Sequence, residues 1–219
     1  MDSVDIYCIN LRKRQDRLEN FLNSIPDNLI RNLKIVGAVD GANYVLSQDD
    51  IYKLRNADWD ISVGKGQWAC SFSHESVWRD IVERQLPYAV ILEDDAVFKI
   101  KENSEFLKMF KMMNLTCCFL GPSNHPENTK EKPHDFLDLV CPSICKMKSN
   151  LGSMSYLISL AGAKDLLGII EKKGHYRAVD QLINDYMKNQ SKWFCSSPPL
   201  FSVADFVSDI TPSAKVSNQ

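Results

Sequence analysis

Short apolar runs and stretches of helical period alternate along most of the chain. Residues 4–9, VDIYCI, read as a buried strand, and RQDRLENFLNSI (14–25) follows with Leu18, Phe21, Leu22 and Ile25 at helical spacing. A second strand, NLKIVGAV (32–39), is closed by the turn signal Asp40–Gly41. SQDDIYKLRN (47–56) opens with Ser47 and carries Asp50 three residues on, the pattern of a capped helix start. GQWACSFSHESVWRDIVERQ (66–85) gathers Trp68, Phe72, Trp78, Ile81 and Val82 mainly on one side of a helix, which Pro87 punctuates. Both tryptophans read as core. YAVIL (88–92) and LTCCFLG (115–121) are continuous apolar strands of the kind found inside parallel sheets. SMSYLIS (153–159) returns to strand before two amphipathic helices, AGAKDLLGIIEKK (161–173) and AVDQLINDYMKN (178–189). This alternation predicts a Rossmann-type α/β/α sandwich with a mostly parallel central sheet. One domain over 1–210 is expected, with 211–219 as a frayed tail. Residues 122–150 are polar, and a loop of that length is expected to act as a lid or binding loop.

Composition narrows the function classes. The 219 residues are 44% hydrophobic and 25% charged, ordinary for a globular protein. A formal charge of −2 does not suit a nucleic-acid binder that relies on a basic surface. No apolar run is long enough to span a membrane. The N-terminus, MDSVDIYCINLRKR, lacks the basic n-region and long apolar core of a signal peptide, so a cytoplasmic location is expected. The seven cysteines are irregularly spaced and several sit in apolar runs, as reduced core residues do. His125, His134, Cys141 and Cys145 fit no common zinc-ligand spacing.

The strand YAVIL delivers three consecutive acids, Glu93, Asp94 and Asp95. In open α/β sheets ligands bind beyond the carboxyl ends of strands. Such acids either make a solvated turn or meet a hard cation such as Mg²⁺ or Mn²⁺. Extended backbone points Glu93 and Asp95 to one side and Asp94 to the other, so two carboxylates can share a cation while the third anchors the turn. Asn10, Arg14 and Arg17 lie where the first strand meets its helix. An arginine there pairs with a diphosphate, or belongs to a solvated basic face with Arg12 and Lys13. Asp40 contacts a nucleotide or simply makes its turn. Asp180, ahead of an amphipathic helix, is a candidate general base or a favourable N-terminal charge, with Asp185 as its competitor.

INLRKRQDR, GAVDG, GQWACSFSHESVW, VILEDDAVF, SYLISLAGAKDLL and AVDQLI occur in the order seen in family 25 glycosyltransferases, which the chain resembles from Ile9 to about Ile183. The resemblance implies a GT-A-type fold and inverting transfer of a hexose, galactose or glucose, from a UDP-sugar to a hydroxyl acceptor. It implies that the acids stand in for a DxD-like motif, with Asp95 and Glu93 holding Mn²⁺ (or Mg²⁺). Asn10, Arg14, Arg17, Asp40, Ser73, His74, Glu93 and Asp94 would then bind the donor, and Asp180 would be the base. The expected acceptor is a glycan or a hydroxylysine-type protein, and the N-terminus favours a bacterial or viral cytosolic enzyme. Gln67 replaces the family's usual acid, Ala69 a glycine and Ala178 a proline, and no histidine follows His175 to serve as a late metal ligand. A degenerate, non-catalytic binding module on the same fold is the alternative.

Overall fold

β1 (Asp5–Asn10) and β3 (Tyr88–Glu93) are apolar at nearly every position because helices cover both faces of their sheet. The computed structural model describes residues 4–58, 60–61, 64–99, 104–121, 138–141, 143–147 and 152–206. After β1 come α1 (Gln15–Ser24), α2 (Asp27–Ile30), β2 (Leu33–Gly37), α3 (Gln48–Lys53) and α4 (Lys65–Glu83). After β3 come β4 (Ala96–Phe98), α5 (Ser104–Met112), β5 (Cys117–Phe119), β6 (Asp138–Cys141), β7 (Ile144–Lys146) and β8 (Ser155–Ser159). α6 (Leu160–Lys173), α7 (Val179–Asn189), β9 (Phe194–Ser196) and β10 (Phe201–Val203) complete the described chain.

The main sheet has the order β2-β1-β3-β8-β5-β9-β7-β6. β2, β1, β3, β5, β9 and β6 run in one sense, while β8 and β7 run against them. The expected α/β/α sandwich with a mostly parallel sheet is therefore present, broken by β8 lying antiparallel between β3 and β5.

Alternation along each strand sends its side chains to two cores. Tyr7, Ile9 and Ile91 pack with Trp78 and Ile81 of α4, Leu166 and Ile170 of α6, and Leu182 of α7. Ile6, Cys8, Val90 and Leu92 pack with Phe21 of α1 and Phe106 and Phe110 of α5 on the other face. Trp68 and Trp78 are buried as expected. All seven cysteines are free, and all but Cys70 and Cys141 are buried. The capping box also forms: Ser47 Oγ accepts from the Asp50 amide, and the Asp50 carboxylate accepts from the Ser47 amide at 2.9 Å.

Two expectations change. Residues 122–150 are not one loop, because β6 and β7 form an antiparallel hairpin at the sheet edge. His125 and His134 lie outside the described residues, as does the expected tail 211–219. α5, with Phe106 and Phe110 at i, i+4 spacing, is a helix beyond those expected from the sequence.

The parallel register aligns the strand ends that matter. Ile9 faces Glu93 and Asn10 faces Gly37, so the segments after β1, β2 and β3 emerge side by side. The antiparallel β8 begins at this same end, where the Glu93 amide donates to the Met154 carbonyl at 2.8 Å.

Candidate active site

The three acids divide as expected, although β3 ends at Glu93 and it is the turn of Asp94 and Asp95 into β4 that sets their directions. Asp94 turns inward and is buried; its carboxylate accepts from Asn10 Nδ2 at 2.8 Å and from Arg17 Nη1 at 2.9 Å. Arg17 is buried too, and the same Nη1 lies 3.7 Å from Asp95 Oδ2. Asp94 is thus the anchor, and the pair holds the turn that presents its neighbours. Glu93 Oε1 accepts from Ser153 Oγ at 2.6 Å and lies 3.5 Å from His74 Nε2. The Ala204 amide, just beyond β10, donates to the Asp95 carbonyl at 2.7 Å and fixes the backbone there.

Electrostatics separate the two outward acids. Burial opposes ionisation of Glu93, but His74, the Ser153 hydroxyl and Arg17 outweigh it and hold the carboxyl below its usual range. Asp95 has no such help: burial, then the Glu93 charge, push its carboxyl up to about 7 against the pull of Arg17. Asp95 Oδ1 is buried with no hydrogen-bond partner among the described residues. Two crowded carboxylates with one oxygen unmatched are what a divalent cation would relieve, and the hard oxygen donors suit Mn²⁺ or Mg²⁺.

Two cavities meet at these acids. The first, about 370 Å³, runs over the ends of β1 and β2 and is lined by Lys13, Arg17, Asp40, Lys65, Ser73, His74, Asp94 and the apolar Ile9, Ala38 and Val39. The second, about 310 Å³, is lined by Gln67, Gly152, Ser153, Met154, Asp180 and Val203. Cys70, Glu93 and Asp95 line both. Three cations, Lys13, Arg17 and Lys65, line the first cavity opposite four carboxylates, and the start of α4, whose N-cap Gly64 supplies no side-chain cap, adds backbone N–H groups beside Lys65. Gly41 is required there, since a Cβ would collide with the Lys65 carbonyl oxygen. In the second cavity Asp180 Oδ2 accepts from the Gly152 amide at 3.0 Å and Oδ1 from the Gln181 amide at 2.8 Å. Those bonds aim the carboxylate from the first turn of α7.

Most of the predicted residues converge: Arg17, Asp40, Ser73, His74, Glu93, Asp94 and Asp95 around the first cavity, and Asp180 in the second. Some do so with structural bonds of their own. Asp40 also makes its turn, accepting from the Ala42 amide and from Lys13 Nζ, both at 3.1 Å. Ser73 Oγ donates to the Ala69 carbonyl at 2.7 Å and accepts from the Val39 amide at 2.9 Å, tying α4 to the floor. Asn10 and Arg14 line neither cavity. Asn10 acts on the acids through Asp94, whereas Arg14 turns to Asp16 at 2.9 Å and lies over the Phe206 ring. Asp185 faces Tyr176 and Arg177 instead of the cavities. The last histidine, His175, is bound to Glu75 at 2.8 Å and packed on Phe72, away from the acids. Lys65 and Cys70 join the site unannounced, and of these only Cys70, four residues before His74 on one helix, carried a spacing signal; Ser153, which the sequence offers as an acceptor contact without a spacing signal, lines the second cavity.

Comparison with known proteins places this arrangement. The family described as "Glycosyltransferase family 25 (LPS biosynthesis protein)" matches residues 3–183. The chain belongs to glycosyltransferase family 25. Among family 25 relatives, mouse procollagen galactosyltransferase 2 is 25% identical over 193 residues, covering 82% of this chain and 29% of its own. Human inactive glycosyltransferase 25 family member 3 is 27% identical over 180 residues, covering 74% of this chain and 28% of its own. The chain spans less than a third of the length of these relatives. Among solved structures, apo mouse xyloside xylosyltransferase 1 aligns with a TM-score of 0.43 and 14% identity, over 86% of this chain and 83% of that one. Family 25 thus holds active and inactive members, and the acids of this chain bear on which it is. Among the described residues no helix is long and apolar enough to cross a membrane.

Proposed function

We propose that this family 25 member transfers a hexose from a UDP-sugar to a hydroxyl acceptor with inversion. The observation that carries the reading is the junction itself: a cavity lined by Lys13, Arg17 and Lys65 and a cavity holding Asp180 meet at Glu93 and Asp95. The nucleoside diphosphate occupies the first cavity, with Lys13, Arg17 and Lys65 facing its charge and the apolar floor its base. Glu93 and Asp95 would hold a divalent cation, Mn²⁺ or Mg²⁺ by their hard oxygen donors, which would supply neutralisation of charge on the leaving diphosphate.

The acceptor hydroxyl enters through the second cavity. Its oxygen forms the new bond to the anomeric carbon as the bond from that carbon to the diphosphate oxygen breaks. Asp180 takes the hydroxyl proton, which requires it ionised and within hydrogen-bond reach. Galactose as the sugar and a protein or glycan hydroxyl as the acceptor follow from the named activity of the procollagen relatives.

The test is UDP release from a UDP-hexose by wild type and by Asp95→Asn, with and without Mn²⁺. Metal-stimulated release in wild type, absent from the variant, supports the reading. Equal release from both sinks the assignment of Asp95. Similarity to an inactive relative favours a second reading, a sugar-nucleotide binder without turnover. That reading requires no metal-coupled donor binding and no UDP release in any acceptor mixture.

A further inference from the structure

His74, Tyr156 and Trp78 are each fully buried, on α4, β8 and α4 respectively. Trp78 Nε1 donates to Tyr156 Oη at 2.9 Å, and Tyr156 Oη lies 2.7 Å from His74 Nδ1. Among the described residues His74 Nε2 is buried with no hydrogen-bond partner, on the wall of the first cavity and 3.5 Å from Glu93 Oε1. We infer that this chain locks His74 in its Nε2–H tautomer and presents that N–H to a phosphate oxygen of a nucleoside diphosphate bound where the cavities meet.

Hydrogen-bond capacity fixes the direction. An indole nitrogen only donates, so the phenol oxygen accepts from Trp78 and has its own hydrogen left to give. Nδ1 is the acceptor within reach, which makes it the unprotonated nitrogen and puts the ring hydrogen on Nε2. In the opposite tautomer, or in the imidazolium, Nδ1–H would donate to the phenol and leave the phenolic hydrogen buried without an acceptor. That penalty biases the tautomers about tenfold or more. The assignment also settles a second cluster. Donor atoms of Cys70, His74 and Glu93 lie within 4.8 Å of one another, which suggests a metal. In this tautomer Nε2 has no lone pair for a metal, which favours Glu93 and Asp95 as the cation's ligands and leaves the N–H facing outward for an oxygen.

At 3.5 Å the N–H orients Glu93 without a full hydrogen bond to it. An incoming anionic oxygen would satisfy this buried donor. Tyr156 and Trp78 are then positioning residues, acting only through the imidazole. The phosphate contact rests on the UDP-sugar reading above, whereas the tautomer does not.

The experiment is long-range ¹H–¹⁵N correlation on protein labelled at histidine, with His74 assigned by its absence from His74→Gln. Expected is an Nε2–H pattern in the free protein. It should collapse to mixed tautomers in Tyr156→Phe, which loses the phenolic donor and keeps the ring. An Nδ1–H or doubly protonated pattern in wild type, or an unchanged pattern in Tyr156→Phe, overturns the chain. UDP with Mn²⁺ should move the Nε2 resonance and uridine should not; equal effects from both, or none from UDP, overturn the phosphate contact. If calorimetry shows no binding of UDP at all, the donor reading falls and takes the phosphate contact with it, while the tautomer result stands or falls by itself. In turnover, Tyr156→Phe should raise the donor KM about twofold with kcat little changed, because an even tautomer mixture leaves about half of the protein offering the N–H; an unchanged donor KM would overturn the phosphate contact.

Discussion

Replacing Arg17 with methionine tests whether the acid turn is held by a buried ion pair. The pair is almost dry: the Arg17 side chain is 9% exposed and the Asp94 side chain 6%, with 2.9 Å between them. Removing one partner of such a pair costs about 3–5 kcal/mol, because the other charge stays buried and uncompensated. Asn10 keeps its 2.8 Å bond to Asp94, which places the expected loss at the lower end, about 3 kcal/mol. Methionine retains an apolar stem, so little of that loss comes from packing. For a chain of this size about 3 kcal/mol corresponds to roughly 6–12 °C in Tm. Urea unfolding should show the midpoint fall with the slope unchanged. The double variant Arg17→Met/Asp94→Leu removes both charges and should recover at least half of the loss. A single-variant loss under about 1 kcal/mol, as for an exposed pair, would refute the reasoning. So would a double variant that is worse than Arg17→Met.

Asp180→Asn should leave UDP affinity within about twofold and lower kcat by roughly a hundredfold or more, read by coupled UDP release; lost UDP binding would make Asp180 a nucleotide or structural residue instead. Burial of Glu75 opposes its ionisation, but His175, Arg79 and Lys53 outweigh it and hold the carboxyl at about 2, well below the ordinary 4.5 of a glutamate. Its folded value lies below its unfolded one, so the stabilisation is fully present above about 4.5 and fades as pH falls toward 2. The size is about 3 kcal/mol. Glu75→Gln should flatten the acid side of a stability–pH curve in that window, and an unaltered curve counts against the network. Gly41→Ala should cost about 1–3 kcal/mol through its collision with the Lys65 carbonyl and weaken UDP binding in calorimetry. Unchanged stability and affinity would mean the loop from 38 to 42 is free to move.

What could be read from the residues alone was whatever local periodicity encodes. YAVIL followed by three acids placed Glu93, Asp94 and Asp95 at a strand end, and pleat alternation separated Asp94 from the other two. The long helices and the first three strands were legible for the same reason. Three-residue strands such as β4, β9 and β10 are too short to show a period, and they form only because a neighbour supplies the other half of the ladder. Partnerships distant in sequence were illegible as well. His74 meets Tyr156 across 82 residues and Glu75 meets His175 across 100, and no spacing rule reaches that far. Arg14 and Arg17 look alike in the sequence. Three residues on α1 turn one toward Asp16 and the other into the acid turn.

The central claim is that Glu93 and Asp95 couple a nucleoside diphosphate to a divalent cation. Titration calorimetry of UDP into the metal-stripped protein, repeated with saturating Mn²⁺, tests it most directly. The account predicts UDP affinity at least tenfold higher with Mn²⁺, a gain lost in Asp95→Asn. Equal affinity with and without Mn²⁺ in the wild type would contradict it.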